Sequence, residues 1–138
     1  VNRDQIVDAM ASLKLFADLG RPQLEAVADT LTEESFAPGS RIQRQNFTGS
    51  GFHVILDGEA VVKVDGEERA RLGKGDFFGE SSILLGGPAI ADVTAATVVH
   101  TLQLAGSELP LFLRSYPDVM YRILQTVTRR LDRANRRD

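Results

Sequence analysis

Gly75-Asp-Phe-Phe-Gly-Glu-Ser-Ser-Ile-Leu-Leu-Gly-Gly-Pro-Ala-Ile-Ala-Asp-Val93 is the stretch around which the rest of the chain is read. A glycine-punctuated apolar run breaks into one short helical turn over Glu80 to Leu84. A Gly86-Gly-Pro88 turn and a strand from Ala89 onward follow. Loop, helix start, tight turn and strand in this order can cradle an anion. The first N–H groups of a helix lack intrahelical partners and carry partial positive charge. Gly79 permits close backbone approach, and Ser81 and Ser82 add hydroxyl donors. An ionised Glu80 only accepts hydrogen bonds, so it suits a sugar hydroxyl better than a phosphate.

Upstream of this stretch the pattern is that of short strands. Phe36-Ala-Pro38-Gly39 is a turn signal, and Arg41-Ile-Gln-Arg-Gln45 alternates as a strand does. Asn46 to Gly51 reads as a polar loop and Phe52 to Leu56 as a buried strand. Asp57-Gly58 and Asp65-Gly66 have the chemistry of hairpin turns that need positive φ. Strands over Glu59–Val64 and Glu67–Leu72 flank the second of them, and a Val/Thr/Ala-rich strand pair runs from Ala89 to Leu104. Many short strands with glycine turns predict an antiparallel sandwich or barrel.

Helices bracket the strands. Ile6, Met10 and Leu13 recur at helical spacing over Asn2 to Leu13, and Leu15, Phe16 and Leu19 form a compact apolar turn. Gly20-Arg21-Pro22 opens a second helix, with Leu24, Val27, Ala28 and Leu31 as its buried stripe. Near the end, Ser107 has the chemistry of an N-cap ahead of Leu109, Phe112 and Leu113. Ser115-Tyr-Pro117-Asp118 breaks the chain, and a last helix from about Asp118 carries Met120, Ile123, Leu124, Val127, Leu131 and Ala134 as a core-facing stripe. Its far end is rich in arginine: Arg129, Arg130, Arg133, Arg136 and Arg137.

The totals exclude several classes of function. The chain has 138 residues, 43% hydrophobic and 25% charged, which is the size and composition of one domain able to bury a core. The absence of Cys removes disulfides, thiol catalysis and Cys-ligated metals. His53 and His100 lack metal-ligand spacing, no cupin-like His/Glu set is present, and no Ser occupies a nucleophile elbow. Neither an enzyme nor a metal or cofactor is therefore expected. His53 reads as a sheet residue with a satisfied hydrogen bond. No apolar run is long enough for a bilayer and the opening residues are no signal peptide, so a cytoplasmic location without membrane association is expected. A net charge of −3 argues against nucleic acid as a partner of this domain.

Several runs, in order, resemble the cyclic nucleotide-binding domain family of kinase regulatory subunits, gated channels and the catabolite activator class. Leu15-Phe16-Ala-Asp-Leu19 is similar to its opening helical turn, and Pro38-Gly39 followed by Ile42 to its first roll turn. Phe52-His53-Val-Ile-Leu56-Asp-Gly58-Glu59-Ala-Val-Val62 resembles Phe-Tyr-x-Ile-x-x-Gly-x-x-x-Val, with His53 where Tyr is usual. Leu72-Gly73-Lys-Gly75-Asp76-Phe-Phe78-Gly79-Glu80 resembles Leu-x-x-Gly-x-x-Phe-Gly-Glu. The resemblance implies an α+β fold: an antiparallel, jelly-roll-like β-roll flanked by N-terminal and C-terminal helices. The chain divides accordingly into helices over 1–31, a roll over 32–105 with a phosphate cassette at 79–90, and helices over 107–138.

The resemblance also assigns roles. It carries the cyclic phosphate to the backbone and hydroxyls of Gly79, Ser81 and Ser82, and the ribose 2′-hydroxyl to Glu80. The family continues Pro-Arg-Ala or Pro-Arg-Ser, its Arg pairing the phosphate, but this chain has Pro88-Ala89-Ile90. Losing a charged hydrogen bond of about 1.5–3 kcal/mol weakens binding roughly tenfold to a few hundredfold. Ile90 brings a branched side chain where small residues leave room, although alternation puts Ala89, Ala91 and Val93 on one face and Ile90 and Asp92 on the other. The expected function is a regulatory domain that binds cAMP or cGMP, weakened by Ala89, and signals through its last helix. The alternative is a ligand-free interaction or dimerisation scaffold. Thr126, Thr128 and Arg130 are the candidates for base contact, and the arginine cluster for a replacement cation. A homodimer through the last helix, or an effector domain in a longer protein, is the expected macromolecular partner.

Overall fold

The computed structural model describes residues 2–136. Asn2 caps α1 (Arg3–Ala11): its side chain accepts from the Gln5 N–H while the Gln5 side chain accepts from the Asn2 N–H. α1 ends two residues earlier than the spacing predicts, because Leu13 turns to extended backbone and leads into a 3-10 turn over Lys14–Phe16. Pro22 lies in the first turn of α2 (Arg21–Thr30), where its missing N–H costs nothing. Val7 and Met10 of α1 and Leu24 and Val27 of α2 are fully or nearly fully buried.

Eight strands follow: β1 (Thr32–Phe36), β2 (Arg41–Gln43), β3 (Phe52–Asp57), β4 (Ala60–Val64), β5 (Glu67–Leu72), β6 (Phe77–Phe78), β7 (Asp92–Ala95) and β8 (Val99–Leu104). They form two four-stranded antiparallel sheets, ordered β1-β8-β3-β6 and β2-β7-β4-β5. α3 (Glu80–Leu85) interrupts the strands, and α4 (Leu109–Ser115) and α5 (Pro117–Arg136) close the chain. This is the α+β roll with flanking helices that the motifs imply.

Two cores result. Ile42, Ile55, Ala60, Leu72, Phe78 and Val93 pack inside the roll. Phe52, Val54, Phe77, Leu102 and Leu104 face outward from the first sheet and pack with the helices. β3 is therefore buried on both faces, which is why Phe52 to Ile55 lacks a polar-apolar alternation. His53 points into the roll, stacked on Phe78 at 5.0 Å and edge-on to Phe36 at 5.9 Å. Its Nε2 donates to the Ser50 carbonyl at 2.8 Å, and its Nδ1 accepts from the Thr101 hydroxyl at 2.9 Å. Burial lowers its pKa.

Four local expectations need correction. Asp65-Gly66 does turn β4 into β5 with both residues at positive φ, 53° and 80°. Asp57-Gly58 does not make a hairpin, because β3 and β4 belong to different sheets. Gly58 has the positive φ, 97°, but uses it at a corner where a Cβ would lie 2.1 Å from the Val98 carbonyl. The dipeptide signals the backbone conformation and not which strands pair. Likewise β7 and β8 are consecutive but lie in different sheets, and β7 starts at Asp92, with Ala89 bonded to the 46–47 loop instead. Ser107 does not cap α4: it lies inside a 3-10 turn over Gly106–Glu108, whose backbone bonds carry the entry. Finally, the α5 stripe divides. Val119 and Ile123 are buried, whereas Met120, Leu124 and Leu131 are exposed, so that stripe is only partly core. Arg137 lies outside the described residues.

Candidate functional site

The site grows out of β6. Phe77 and Phe78 anchor opposite faces of the sheet, one in each core, and fix where the chain leaves it. Gly79 then turns at φ 94°, so close to β3 that a Cβ would sit 2.1 Å from the Gly51 carbonyl. Only glycine fits there. α3 starts at once, with no side-chain cap, and ends at Gly86 at φ 75°. The hydroxyl of Ser81 donates to Glu80 Oε2 at 2.9 Å, and that of Ser82 leans on the Gly79 carbonyl at 3.4 Å.

Glu80 is the site's buried charge, 7% exposed. Its Oε1 has no hydrogen-bond partner; Arg130 Nη1 of α5 stands 3.8 Å away, ion-pair range but too long for a hydrogen bond. Arg130 is held elsewhere: Nη2 donates to the Phe77 carbonyl at 2.8 Å, and the guanidinium lies 4.6 Å from the centre of the Phe77 ring. An unpartnered buried acceptor costs about 1–3 kcal/mol, so Glu80 retains unused capacity for a donor.

The other end of the segment is built differently. Ala89 is buried, and both its backbone groups are used: its N–H donates to the Phe47 carbonyl and its carbonyl accepts from the Asn46 N–H, each at 2.8 Å. Ala91, Val93 and Ala95 are buried like Ala89, whereas Ile90 is 58% exposed, so alternation runs as expected. The side chain of Ile90 therefore faces outward. Asp92 Oδ1 accepts from the Gln45 N–H at 2.7 Å and so helps hold that loop.

The structure thus gathers Gly79, Glu80, Ser81 and Ser82 at one end of the segment and Ala89 at the other. Of the base-contact candidates, Arg130 reaches the segment. Thr128 donates to the Leu124 carbonyl of its own helix, and Thr126 lines a separate groove of about 620 Å³ between the Lys14–Phe16 turn, residues 74–77 and α5. Lys14, Lys74 and Arg129 give that groove its basic walls, and Glu80 is not among them. Among the described residues no His/Cys/Asp/Glu group could hold a metal ion, and no helix is long and apolar enough to cross a membrane.

One residue at the site escaped the sequence. Alternation over Arg41–Gln45 puts Ile42 inward and Gln43 outward, yet both are buried, because the β2–β7 register slips between Arg41 and Gln43. Gln43 is 5% exposed, its Nε2 donates to the Ala91 carbonyl at 3.0 Å, and its Oε1 has no partner. The available signal was polar Gln43 beside Ile42, but the alternation assigned it to solvent.

Known proteins resemble this chain over much of its length. The family model for the cyclic nucleotide-binding domain matches residues 33–116. The cGMP-dependent protein kinase of Toxoplasma gondii is 30% identical over 113 residues, 82% of this chain and 11% of the kinase. The chain spans about a tenth of the length of the curated relatives it matches first. The regulatory subunit of a cAMP-independent protein kinase A from Trypanosoma cruzi, bound to guanosine, is 28% identical with a TM-score of 0.73, covering 87% of this chain and 45% of that one. The Trypanosoma brucei counterpart is 27% identical with a TM-score of 0.68, covering 90% and 51%. Its structure is of a mutant in which a Glu becomes Ala, a Thr becomes Arg and the adjacent Val becomes Ala, bound to cAMP in the A site.

Proposed function

The chain belongs to the cyclic nucleotide-binding domain family, and from that premise we propose a regulatory domain that holds a nucleoside-type ligand at 79–91 and binds cAMP or cGMP weakly. The observation that carries this is the buried Glu80 with Oε1 free of hydrogen bonds: an acceptor kept ready for a sugar hydroxyl. Gly79, Ser81 and Ser82 supply backbone donors around the ligand, and the two hydroxyls join only by turning away from Glu80 Oε2 and the Gly79 carbonyl. The position that would carry a phosphate-pairing Arg is Ala89, and Arg130 stays with Glu80 and Phe77 instead of replacing it.

Signalling runs through that same arginine. A hydroxyl that takes Glu80 Oε1 competes with Arg130 Nη1, 3.8 Å away, so ligand and α5 share one carboxylate. Occupancy shifts α5 only by the difference in affinity between its two arrangements. The exposed Met120, Leu124 and Leu131 of α5 give the moving helix an apolar face for a second copy or an effector.

A second reading is that the ligand is an unphosphorylated nucleoside. The cAMP-independent relative bound to guanosine supports it. So does the T. brucei mutant bound to cAMP, in which an adjacent Thr-Val pair becomes Arg-Ala, the residue types that the family motif has after its Pro and that this chain lacks at Ala89-Ile90.

Thermal melts with millimolar cAMP, cGMP, adenosine and guanosine test the site. A ligand at 100 times its Kd adds about 2.7 kcal/mol and raises Tm by several degrees. No shift with any of the four leaves the ligand-free scaffold as the function.

A further inference from the structure

Among the described residues, two buried side-chain oxygens lack a hydrogen-bond partner, and they bracket one segment. Glu80 opens it. Gln43 meets its other end through the Ala91 carbonyl. From this, and resting on the ligand site proposed above, we infer that Gln43 is a ligand-reading residue: its Oε1 takes a hydroxyl donor where a phosphate-pairing cation is missing. The site is then built for an uncharged, hydroxyl-bearing ligand, a nucleoside with free hydroxyls at both ends of its sugar.

The placement follows from register. Gln43 pairs with Val93, and cross-strand partners share a face of the sheet. Val93 in turn pairs with Val62, and Val62 with Ala70. Gln43 therefore points into the roll. Along this inward row the covering thins out: Val93 is fully buried, Val62 is half-buried and Ala70 is exposed. The exposed β5 end of this row is where a ligand would enter. Ala89 stands on the same buried alternation as Ala91 and Val93, so the cation position and the Gln43 amide adjoin.

The chemistry decides the ligand class. A phosphodiester at neutral pH carries a charge and no proton on its oxygens. It would set acceptor against acceptor at Gln43 Oε1, with no cation at Ala89 to outweigh the clash. A free sugar hydroxyl donates instead. The Gln43 amide cannot usefully flip, because its NH2 end already serves the Ala91 carbonyl, which only accepts. Glu80 and Gln43 thus demand donors from the ligand at both ends of the segment, and a diester meets that demand at the Glu80 end alone.

The test is calorimetric titration of the whole domain with guanosine, adenosine, cGMP and cAMP, for the parent and for Gln43→Met. The parent is expected to bind a nucleoside more tightly than its cyclic monophosphate. Gln43→Met, which keeps length and loses the amide, is expected to weaken the nucleoside about threefold to tenfold and leave the cyclic nucleotide unchanged or tighter. Equal losses for both ligands would mean that Gln43 only pins β2 to Ala91, and would overturn the inference while leaving the site intact. A parent that prefers the cyclic nucleotide also overturns it alone. If no ligand binds the parent, the site itself is wrong. Should Gln43→Met not fold, the parent answers by NMR: the side-chain amide signals of Gln43 must move with a saturating nucleoside and stay with a saturating cyclic nucleotide, and the converse contradicts the inference.

Discussion

The two ends of the 79–91 segment obey different rules. At the front, Gly79 and Glu80 are dictated by the backbone and by burial: a turn against Gly51 that tolerates no side chain, then a carboxylate sealed beneath Arg130. At the back, nothing in the backbone demands Ala89. Its N–H and carbonyl close the 46–47 loop at an ordinary backbone position that does not require glycine. On the proposed function, the fold holds the sugar end in place, while the charge preference of the other end would be set by side chains.

If that contrast is right, damage to the front should be the greater. Gly79→Ala forces a Cβ against the Gly51 carbonyl at a φ of 94°. We expect a loss of about 3 kcal/mol or more, near 10 °C in Tm by thermal melt. A variant as stable as the parent would break the contrast at its strongest point. Glu80→Ala comes next, and acts on binding. Calorimetry should show nucleoside affinity falling about tenfold to a hundredfold with Tm unchanged or raised, since a buried acceptor without a hydrogen-bond partner has been removed.

The base of the front end also responds to pH. His53 pairs across the strands with Phe78, next to Gly79, and is buried neutral with a lowered pKa because burial disfavours its charged form. The unfolded chain, near 6.5, then binds the proton first. The contribution is fully present above that pH and is lost as pH falls below it. Melts from pH 7.5 to 5.5 should lose stability, and His53→Tyr should flatten the slope; an unchanged slope in that variant assigns the loss to other groups. The smallest effect belongs to the back: Ile90→Ala, at an exposed position, should stay within about 0.5 kcal/mol in the same melts.

The same division explains what the sequence revealed. Gly79, Gly58 and Asp65-Gly66 were legible because positive φ restricts residue choice. The helices were legible from Met10, Leu24 and Val27 at core spacing, although in the first helix Val7 takes the core and Ile6 only half of it. Strand partners were not, because Asp57-Gly58 fixes a turn but not the sheet on either side of it. Gln43 was hidden by a register slip that breaks the period of two. The α5 stripe misled because periodicity marks an apolar face without saying what covers it: Ile123 found the core and Leu124 did not. The roll and the front of the site follow from local backbone rules, whereas the back depends on a long-range hydrogen bond between Gln43 and Ala91.

On the function proposed above, this site keeps the family's sugar end and lacks the cation that pairs a cyclic phosphate. Calorimetric titration of cAMP and cGMP into the parent and into the double variant Ala89→Arg, Ile90→Ala tests it most directly. Restoring the charged hydrogen bond should tighten cyclic nucleotide binding roughly tenfold to a few hundredfold. A double variant that folds and binds cyclic nucleotides no better than the parent would contradict the assignment of Gly79, Glu80, Ser81 and Ser82 to the ligand.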